Sequence, residues 1–218
     1  MRGVILYGVG SPIVVDVEES LHRAGLTLVA GIANHPGPSH LLEGAPVKAP
    51  AGLTDGERDL PFLVPLFTPG HRHAAVADAA RHGLHRPLTL IDPSVAAPRR
   101  LELGPGSYVN AGCSLGAGSV FGAFAFINRG ASLGHHLRCG AFVSVGPGAV
   151  LAGHVCLGEG AFVGAGATVL PEIAVGANAV VGAGSVVTRD VPAGCLALGN
   201  PARIVRRDIG GYRGIAIP

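Results

Sequence analysis

The chain has 218 residues, and its formal net charge of +2 gives no reason to expect nucleic acid or an acidic membrane surface as a partner. Its mean hydropathy is +0.46, but no apolar run approaches the roughly 20 residues that a membrane-spanning helix requires. Acidic residues interrupt the first apolar stretch, so no signal peptide is predicted, and the four scattered cysteines show no metal-type pairing. These features predict a cytoplasmic protein with reduced cysteines.

The first 92 residues alternate short apolar runs with helical patterns. The patterns predict strands at 4–7, 26–33, 60–65 and 87–92, helices at 12–24 and 68–82, and a loop at 34–59. Two successive strand–helix–strand units indicate a small parallel α/β sheet with Rossmann-like winding. We therefore predict one domain at 1–92 and a second at 93–218.

A pair of glycines, Gly8 and Gly10, lies at the first strand-to-helix turn. Bare backbone N–H groups and a helix N-terminus can face an anion at such a turn. The motif lacks the third glycine and the acidic residue of a dinucleotide-binding fingerprint. A tight turn needed only for packing explains the pair equally well, and both interpretations stay open.

From Leu101 to Leu196 the chain divides into sixteen six-residue units. The fourth position is Gly or Asn in most units, and these residues reach left-handed backbone angles at low cost. A short fixed period with one buried residue and one turn residue per unit predicts a β-solenoid. The third, inward position holds Leu103, Val109, Leu115, Phe121, Ile127, Leu133, Cys139, Val145, Leu151, Leu157, Val163, Val169, Val175, Val181, Val187 and Ala193.

Three stretches carry a family resemblance: FINRGASLGHH at 126–136, GPGAVLAG at 146–153 and GNPAR at 199–203. They resemble the hexapeptide-repeat sugar acyltransferases of the sialic-acid O-acetyltransferase and bacillosamine N-acetyltransferase type, over nearly the whole chain. The resemblance implies a left-handed parallel β-helix with three short strands per coil. It also implies a homotrimer that uses acetyl-CoA, with a sugar or nucleotide-sugar acceptor bound by the Rossmann-like domain.

The resemblance also implies roles for single residues. His135 matches the general base that takes a proton from the attacking amine or hydroxyl, with His136 beside it as a second catalytic residue. No metal is implied. The residues implied to bind CoA are Ser144 and Gly153 near the thioester, Arg203 near the adenosine end, and Ala165 and Ala183. The residues implied to bind the acceptor are Gly10, Ser11, Pro12, Asn34 and Gly70.

Several of these positions depart from the family pattern. His136 stands where an acidic residue is usual, and Ser144 stands where a second His commonly contacts CoA. The first loop reads Ser11-Pro12 after Gly10 instead of the common Gly-His, and the second strand ends in Asn34 instead of Asp. These changes indicate either a different acceptor or a weakened enzyme.

Stacking residues eighteen apart predicts two ladders along the solenoid. His136, His154 and Glu172 share one ladder near a corner, where Glu172 could bias His154 and, through it, His136. A solvated corner is the simpler interpretation. The second ladder is predicted to face outward and form the trimer contact. Its members are Tyr108, Phe126, Ser144, Phe162 and Val180.

Two other functions remain open. A zinc hydratase of the γ-carbonic-anhydrase type uses the same solenoid, but His135, His136 and His154 lack its ligand spacing. A non-catalytic scaffold is favoured if the departures at His136 and Ser144 are disabling. Affinity for CoA would separate the scaffold from an acyltransferase.

Overall fold

The computed structural model describes residues 2–42 and 44–218, and its N-terminal part is a four-stranded parallel sheet in the order β3-β2-β1-β4. The sheet consists of β1 (Arg2–Tyr7), β2 (Leu26–Ile32), β3 (Val47–Lys48) and β4 (Phe62–Leu63), with helices α1 (Val14–Arg23), α2 (Asp55–Arg58) and α3 (Pro69–Arg81). The predicted small Rossmann-like sheet is confirmed. None of the described helices is long and apolar enough to cross a membrane.

The segment 34–59 is more ordered than the predicted loop. It contributes the edge strand β3, a 3-10 turn at Pro50–Gly52 and the helix α2. The side chain of Thr54 accepts a hydrogen bond from the Glu57 N–H, and the Glu57 carboxylate accepts one from the Thr54 N–H. This capping box was present in the sequence as Thr-x-x-Glu, and it is the signal that the prediction overlooked.

The segment 87–92, predicted as the fourth strand of this sheet, pairs with two different sheets instead. The backbone around Pro87 hydrogen-bonds to Phe62 of β4. The next strand, β5 (Leu90–Ile91), pairs in parallel with Tyr108–Val109 of the solenoid. The prediction was therefore only partly right, because Leu90 and Ile91 already follow the eighteen-residue spacing. The domain ranges 1–92 and 93–218 stay a prediction.

The rest of the chain forms a left-handed parallel β-helix with three flat faces, as predicted. Face 1 contains β5 with Tyr108–Val109, Phe126–Ile127, Ser144–Val145, Phe162–Val163, Val180–Val181, Leu196–Gly199 and the antiparallel Ala202–Arg206. Face 2 contains Ser114–Leu115, Ser132–Leu133, Val150–Leu151, Thr168–Val169 and Val186–Val187. Face 3 contains Leu101–Leu103, Ser119–Phe121, Arg138–Cys139, Cys156–Leu157 and Ala174–Val175.

The predicted inward positions form the core of this helix, with one exception at its end. Residues from Val109 to Val187 at the third position are buried. The last unit is out of register, because Val175 pairs with Val191 and Val181 pairs with Ala197. Val191 is therefore the inward residue, while Ala193 is exposed. The prediction of sixteen units in unbroken register is wrong for the sixteenth.

The role assigned to the fourth-position glycines also needs correction. The residues with left-handed backbone lie at the sixth position, among them Gly118 and Gly130 with φ of +75° and +66°. Fourth-position glycines are needed for a different reason, which is the close approach of successive coils. A Cβ on Gly104 would lie 2.4 Å from the backbone nitrogen of Ala123.

The outward ladder of face 1 is covered by the N-terminal domain of the same chain. Tyr108 and Phe126 are 1% exposed and Ser144 is fully buried. Phe67, which precedes α3, packs edge-on against Phe126 and Phe162 with ring centroids 5.3 and 5.2 Å apart. The prediction that this ladder forms the trimer contact is therefore wrong.

Arg72 of α3 fixes this domain arrangement. Its guanidinium is buried and donates to the backbone carbonyls of Leu66, Phe124 and Val143 at 2.6–2.9 Å. Burial lowers the pKa of Arg72 to about 9. Because these carbonyls belong to both parts of the chain, the side chain ties the start of α3 to the solenoid.

Candidate active site

His135 and His136 lie at the corner between faces 2 and 3, after the strand Ser132–Leu133 and before Arg138–Cys139. Their Nδ1 atoms are 2.9 Å apart, so one ring donates a hydrogen bond to the other. The rings of His136 and His154 stack with centroids 4.9 Å apart and an angle of 3°. The predicted stacking of His136 on His154 is confirmed, and all three imidazoles are exposed.

The backbone at this corner has the left-handed conformation that sixth positions adopt along the solenoid. His136, His154 and Glu172 have φ of +57°, +61° and +64°. Residues with a Cβ adopt these angles at a cost, but Phe124, Phe142 and Asn178 do so at the same repeat position, so the angle belongs to the coil and does not by itself mark a site. Within the described chain, no hydrogen bond or ion pair joins Glu172 to His154, so the proposed influence of that carboxylate finds no support.

Gly153 supplies the surface against which the imidazole of His135 lies. A Cβ at Gly153 would lie 2.7 Å from Cε1 and 2.8 Å from Nε2 of His135, so a larger residue there would force the exposed ring to move. The Gly153 N–H has no acceptor among the described residues. A possible proton acceptor and a free hydrogen-bond donor therefore lie side by side, which is the pairing that acyl transfer requires.

Ser144 does not belong to this corner. Its hydroxyl donates to the backbone carbonyl of Phe67 at 2.6 Å and accepts from Arg72 at 3.0 Å, beneath the N-terminal domain. With no exposed surface, it cannot contact CoA in this conformation. The prediction of Ser144 as a cofactor-binding residue is wrong. The position of Ser144 on the coil did not reveal that the N-terminal domain covers its side chain.

The other residues implied to bind CoA lie elsewhere on the chain. Ala165 and Ala183 are exposed and stack along the corner between faces 1 and 2. Arg203 is exposed on the last, antiparallel strand, and its guanidinium donates only to the carbonyl of Ala202 among the described residues. One chain therefore does not bring them together with Gly153, which lies at the opposite edge of face 2.

Four of the five residues implied to bind the acceptor line a cavity of about 550 Å³ in the N-terminal part. Gly10, Ser11, Pro12 and Asn34 contribute to its wall, together with the backbone that precedes α3. Gly70 does not line the cavity. It is buried, and a Cβ there would lie 2.3 Å from a side-chain carbon of Ile215, so Gly70 makes room for the C-terminal segment.

Known proteins resemble this chain both in the solenoid repeats and over nearly the whole fold. The family model for the bacterial transferase hexapeptide (six repeats) matches residues 157–189. A variant of perosamine N-acetyltransferase from Caulobacter crescentus, in complex with CoA and GDP-perosamine, is 35% identical with a TM-score of 0.84, covering 94% of this chain and 97% of that one. The chain belongs to the hexapeptide-repeat sugar acetyltransferases.

A second structure agrees with this assignment. The acetyltransferase domain of PglB from Neisseria gonorrhoeae, in complex with acetyl coenzyme A, is 28% identical with a TM-score of 0.82, covering 94% of this chain and 99% of that one. No curated protein sequence matches the chain significantly. These two similar structures confirm the predicted enzyme class, which is a CoA-dependent acetyltransferase.

The three histidines of this hexapeptide-repeat enzyme lie closer together than their sequence spacing indicated. One ligand nitrogen from each ring lies within 4.8 Å of the others, a grouping that a transition metal could use. Neither a carboxylate nor a cysteine joins the group among the described residues. The expectation that the enzyme uses no metal stays a prediction, and it needs a direct test.

Sequence reasoning missed several residues that line the acceptor cavity, among them His71, Tyr212 and Arg213. His71 lies in the first turn of α3, where the helical pattern gave no reason to single it out. Tyr212 and Arg213 stand between Gly211 and Gly214 in the C-terminal segment. That segment packs on the rest of the chain, and the isolated Tyr-Arg pair among glycines was the available signal.

Proposed function

We propose that the enzyme transfers the acetyl group of acetyl-CoA to an amino group of a nucleotide-linked sugar, with His135 as the general base. The observation that carries this proposal is the contact between the His135 imidazole and Gly153, whose N–H is free. The CoA, acetyl-CoA and GDP-perosamine in the structures of the relatives support the choice of donor and acceptor class.

The proposed reaction uses the two groups in sequence. The amine nitrogen attacks the thioester carbonyl carbon while a nitrogen of His135 accepts the amine proton. The Gly153 N–H donates a hydrogen bond to the oxyanion of the tetrahedral intermediate. The carbon–sulfur bond then breaks, and the CoA sulfur takes a proton from the imidazolium. The products are an N-acetyl sugar and free CoA, and His135 is again neutral.

His136 is a positioning residue in this scheme. When the His135 Nδ1–H donates to Nδ1 of His136, the lone pair of His135 is on Nε2, the nitrogen next to Gly153. The stacking of His136 on His154 holds the His136 imidazole, which accepts this hydrogen bond, in place. A neutral imidazole supplies no negative charge, so it orients the base without strengthening it as a carboxylate would.

The site requires more than one copy of the chain. The acceptor cavity lies over face 1, His135 lies at the corner of faces 2 and 3, and His135 does not line the cavity. In a homotrimer, the His135 corner of one chain can face the cavity and the Ala165–Ala183 corner of the next. Cytoplasmic location remains part of the proposal, consistent with four unpaired cysteines.

The decisive comparison is steady-state turnover of His135→Ala and His136→Ala with a nucleotide-linked amino sugar. We expect His135→Ala to lower kcat roughly 10²- to 10⁴-fold with little change in acetyl-CoA affinity, because proton removal is needed only during reaction. His136→Ala should lower kcat less. The assignment is wrong if only His136→Ala abolishes turnover.

Two controls address the other functions. Calorimetry with acetyl-CoA on the wild-type protein should show binding, and its absence would favour the scaffold. Turnover after treatment with EDTA should equal that of the untreated enzyme. Loss of activity on chelation, restored by Zn²⁺, would instead assign the three histidines to a metal centre.

A further inference from the structure

The C-terminal segment 209–217 forms one wall of the acceptor cavity. Tyr212 and Arg213 line the cavity together with the turn after β1 and the start of α3. The segment enters from the end of the solenoid, where the Ile209 N–H donates to the Gly194 carbonyl at 3.0 Å. We call it the C-terminal strap.

The strap is anchored on both sides of Arg213. The ring of Tyr212 stacks on Phe162 with centroids 3.7 Å apart and an angle of 3°. The side-chain amide of Asn178 donates to the Ile217 carbonyl and accepts from the Ile217 N–H, both at 2.9 Å. Ile215 fits against Gly70, which has no side chain to displace it. These contacts hold the intervening residues at a fixed place over the cavity.

Arg213 adopts a conformation that its residue type does not favour. Its φ and ψ are +61° and +21°, in the left-handed region, whereas Gly210, Gly211 and Gly214 reach positive φ without a Cβ. Backbone strain of this kind persists where the surrounding contacts enforce it, and it occurs often at binding sites. A glycine would satisfy the backbone better, so the side chain itself is the feature to explain.

The charge of Arg213 has no protein partner. No carboxylate forms an ion pair with it among the described residues, and its guanidinium carbon lies 5.8 Å from the ring centroid of Tyr212. The described lining of the cavity contains no Asp or Glu, while it contains His35, His40 and His71. Among the described residues that line the cavity, Arg213 is thus the one arginine. The other polar groups there include imidazoles, amides and backbone N–H groups.

We infer that Arg213 binds an anionic group of the acceptor, specifically the diphosphate of a nucleotide-linked sugar, and that the strap holds it there. A guanidinium offers five N–H donors in a planar fork that matches phosphate oxygens. The turn after β1 lines the same cavity, and its Gly10 N–H, which has no acceptor among the described residues, is suited to an anion, whereas the Gly8 N–H donates to the Ile32 carbonyl. This inference rests on the proposed function, because it assigns a residue to the acceptor of the same reaction.

The test measures binding of GDP, UDP and inorganic pyrophosphate to the full-length protein by calorimetry. Arg213→Gln should weaken nucleoside-diphosphate binding by roughly 10- to 100-fold, because a charge-assisted contact is lost, and acetyl-CoA binding should not change. Arg213→Lys should recover part of the affinity. The matched control is Arg81→Gln, an exposed arginine at the other end of α3, which should bind both ligands like the wild type.

The results of these binding measurements distinguish a failure of the Arg213 inference from a failure of the proposed acetyl transfer. Unchanged nucleotide binding by Arg213→Gln, or no binding of any probe by the wild type, would overturn the inference. An equal loss of acetyl-CoA affinity would also overturn it, since Arg213 would then act at the donor site or on folding. Wild-type protein that binds a nucleoside diphosphate but transfers no acetyl group would contradict the proposed function alone.

Discussion

At the scale of single residues, the contact between Gly153 and His135 is the most sensitive feature of the site. In Gly153→Ala the new methyl group would lie 2.7 Å from the imidazole, so the ring must move. We expect kcat to fall by at least about 10-fold, because misplacement by about 1 Å can cost 10²-fold. Gly56→Ala, a helical glycine with open space around it, is the control and should keep full activity. Equal turnover of both variants would contradict the proposed geometry.

The sequence could predict which residues share this corner but not how they interact. The eighteen-residue spacing places His136 on His154, since parallel coils pair in register. The spacing does not reveal that both have positive φ or that His135 turns its ring toward Gly153. Those features depend on side-chain rotation and on the space left by the next coil.

At the scale of elements, the strap can be loosened without touching the cavity. Asn178→Gly removes both hydrogen bonds to Ile217 and suits the left-handed backbone at this position, where φ is +54°. We expect faster amide hydrogen exchange in residues 209–217 and a higher KM for the acceptor, with an unchanged KM for acetyl-CoA. Glu172→Gly relieves a similar backbone angle elsewhere and should leave exchange in the strap unchanged. Normal protection of the strap in Asn178→Gly would show that Asn178 does not hold it.

A second element-scale contact joins α1 to the solenoid through Asp92, which is 1% exposed. Burial raises the pKa of this carboxyl, but hydrogen bonds from Arg23, Ser20 and Ser94 outweigh it and hold the pKa well below its usual range. A lowered pKa stabilises the folded state above about pH 4, and this stability is lost as the pH falls further.

Asp92→Asn should therefore lower the free energy of unfolding at pH 7 by about 1–3 kcal/mol, because charged hydrogen bonds are replaced by weaker ones. The difference from the wild type should shrink as the pH falls from 5 toward 2. Urea unfolding at several pH values measures both effects. A difference that stays constant across this range would mean that the charge of Asp92 contributes nothing.

The element boundaries show where periodicity stops being informative. Leu90 and Ile91 follow the solenoid spacing, but a strand pattern in an α/β context pointed to the wrong sheet. At the other end the coil shortens, so that Val191 instead of Ala193 turns inward. Both errors occur where one repeating pattern meets another structure, because local residue types are compatible with either.

At the scale of the whole molecule, periodicity identified the outward ladder of face 1 but not its cover. Phe126 and Phe162 indeed point away from the coil, yet Phe67 and Tyr212 of the same chain pack on them, and Ser20 of α1 hydrogen-bonds to the Tyr108 hydroxyl. An apolar outward row predicts that something packs there, and it does not distinguish another subunit from another part of the chain. The contact of the proposed trimer would therefore use a different face.

Face 2 is the surface best suited to a second copy. Its outward row consists of Ser114, Ser132, Val150, Thr168 and Val186, none of which carries a charge, and Val150 is 42% exposed. The corresponding row of face 3 includes Glu102 and Arg138. Face 2 also lies between the corner of His135 and the corner of Ala165 and Ala183, so packing there would bring these corners from different chains together.

Val150→Arg should therefore disrupt a trimer that packs on face 2, because unpaired guanidinium groups would be buried in the contact between copies. We expect light scattering to give the 21.8 kDa mass of one chain for the variant and three times that mass for the wild type. Val47→Arg is the matched control, since Val47 is similarly exposed at 46% but lies on the edge strand β3, and it should remain trimeric. Acetyl transfer should disappear with the trimer, because in the proposed arrangement the cavity and His135 come from different chains. A monomeric variant with full activity would show that one chain holds the complete site.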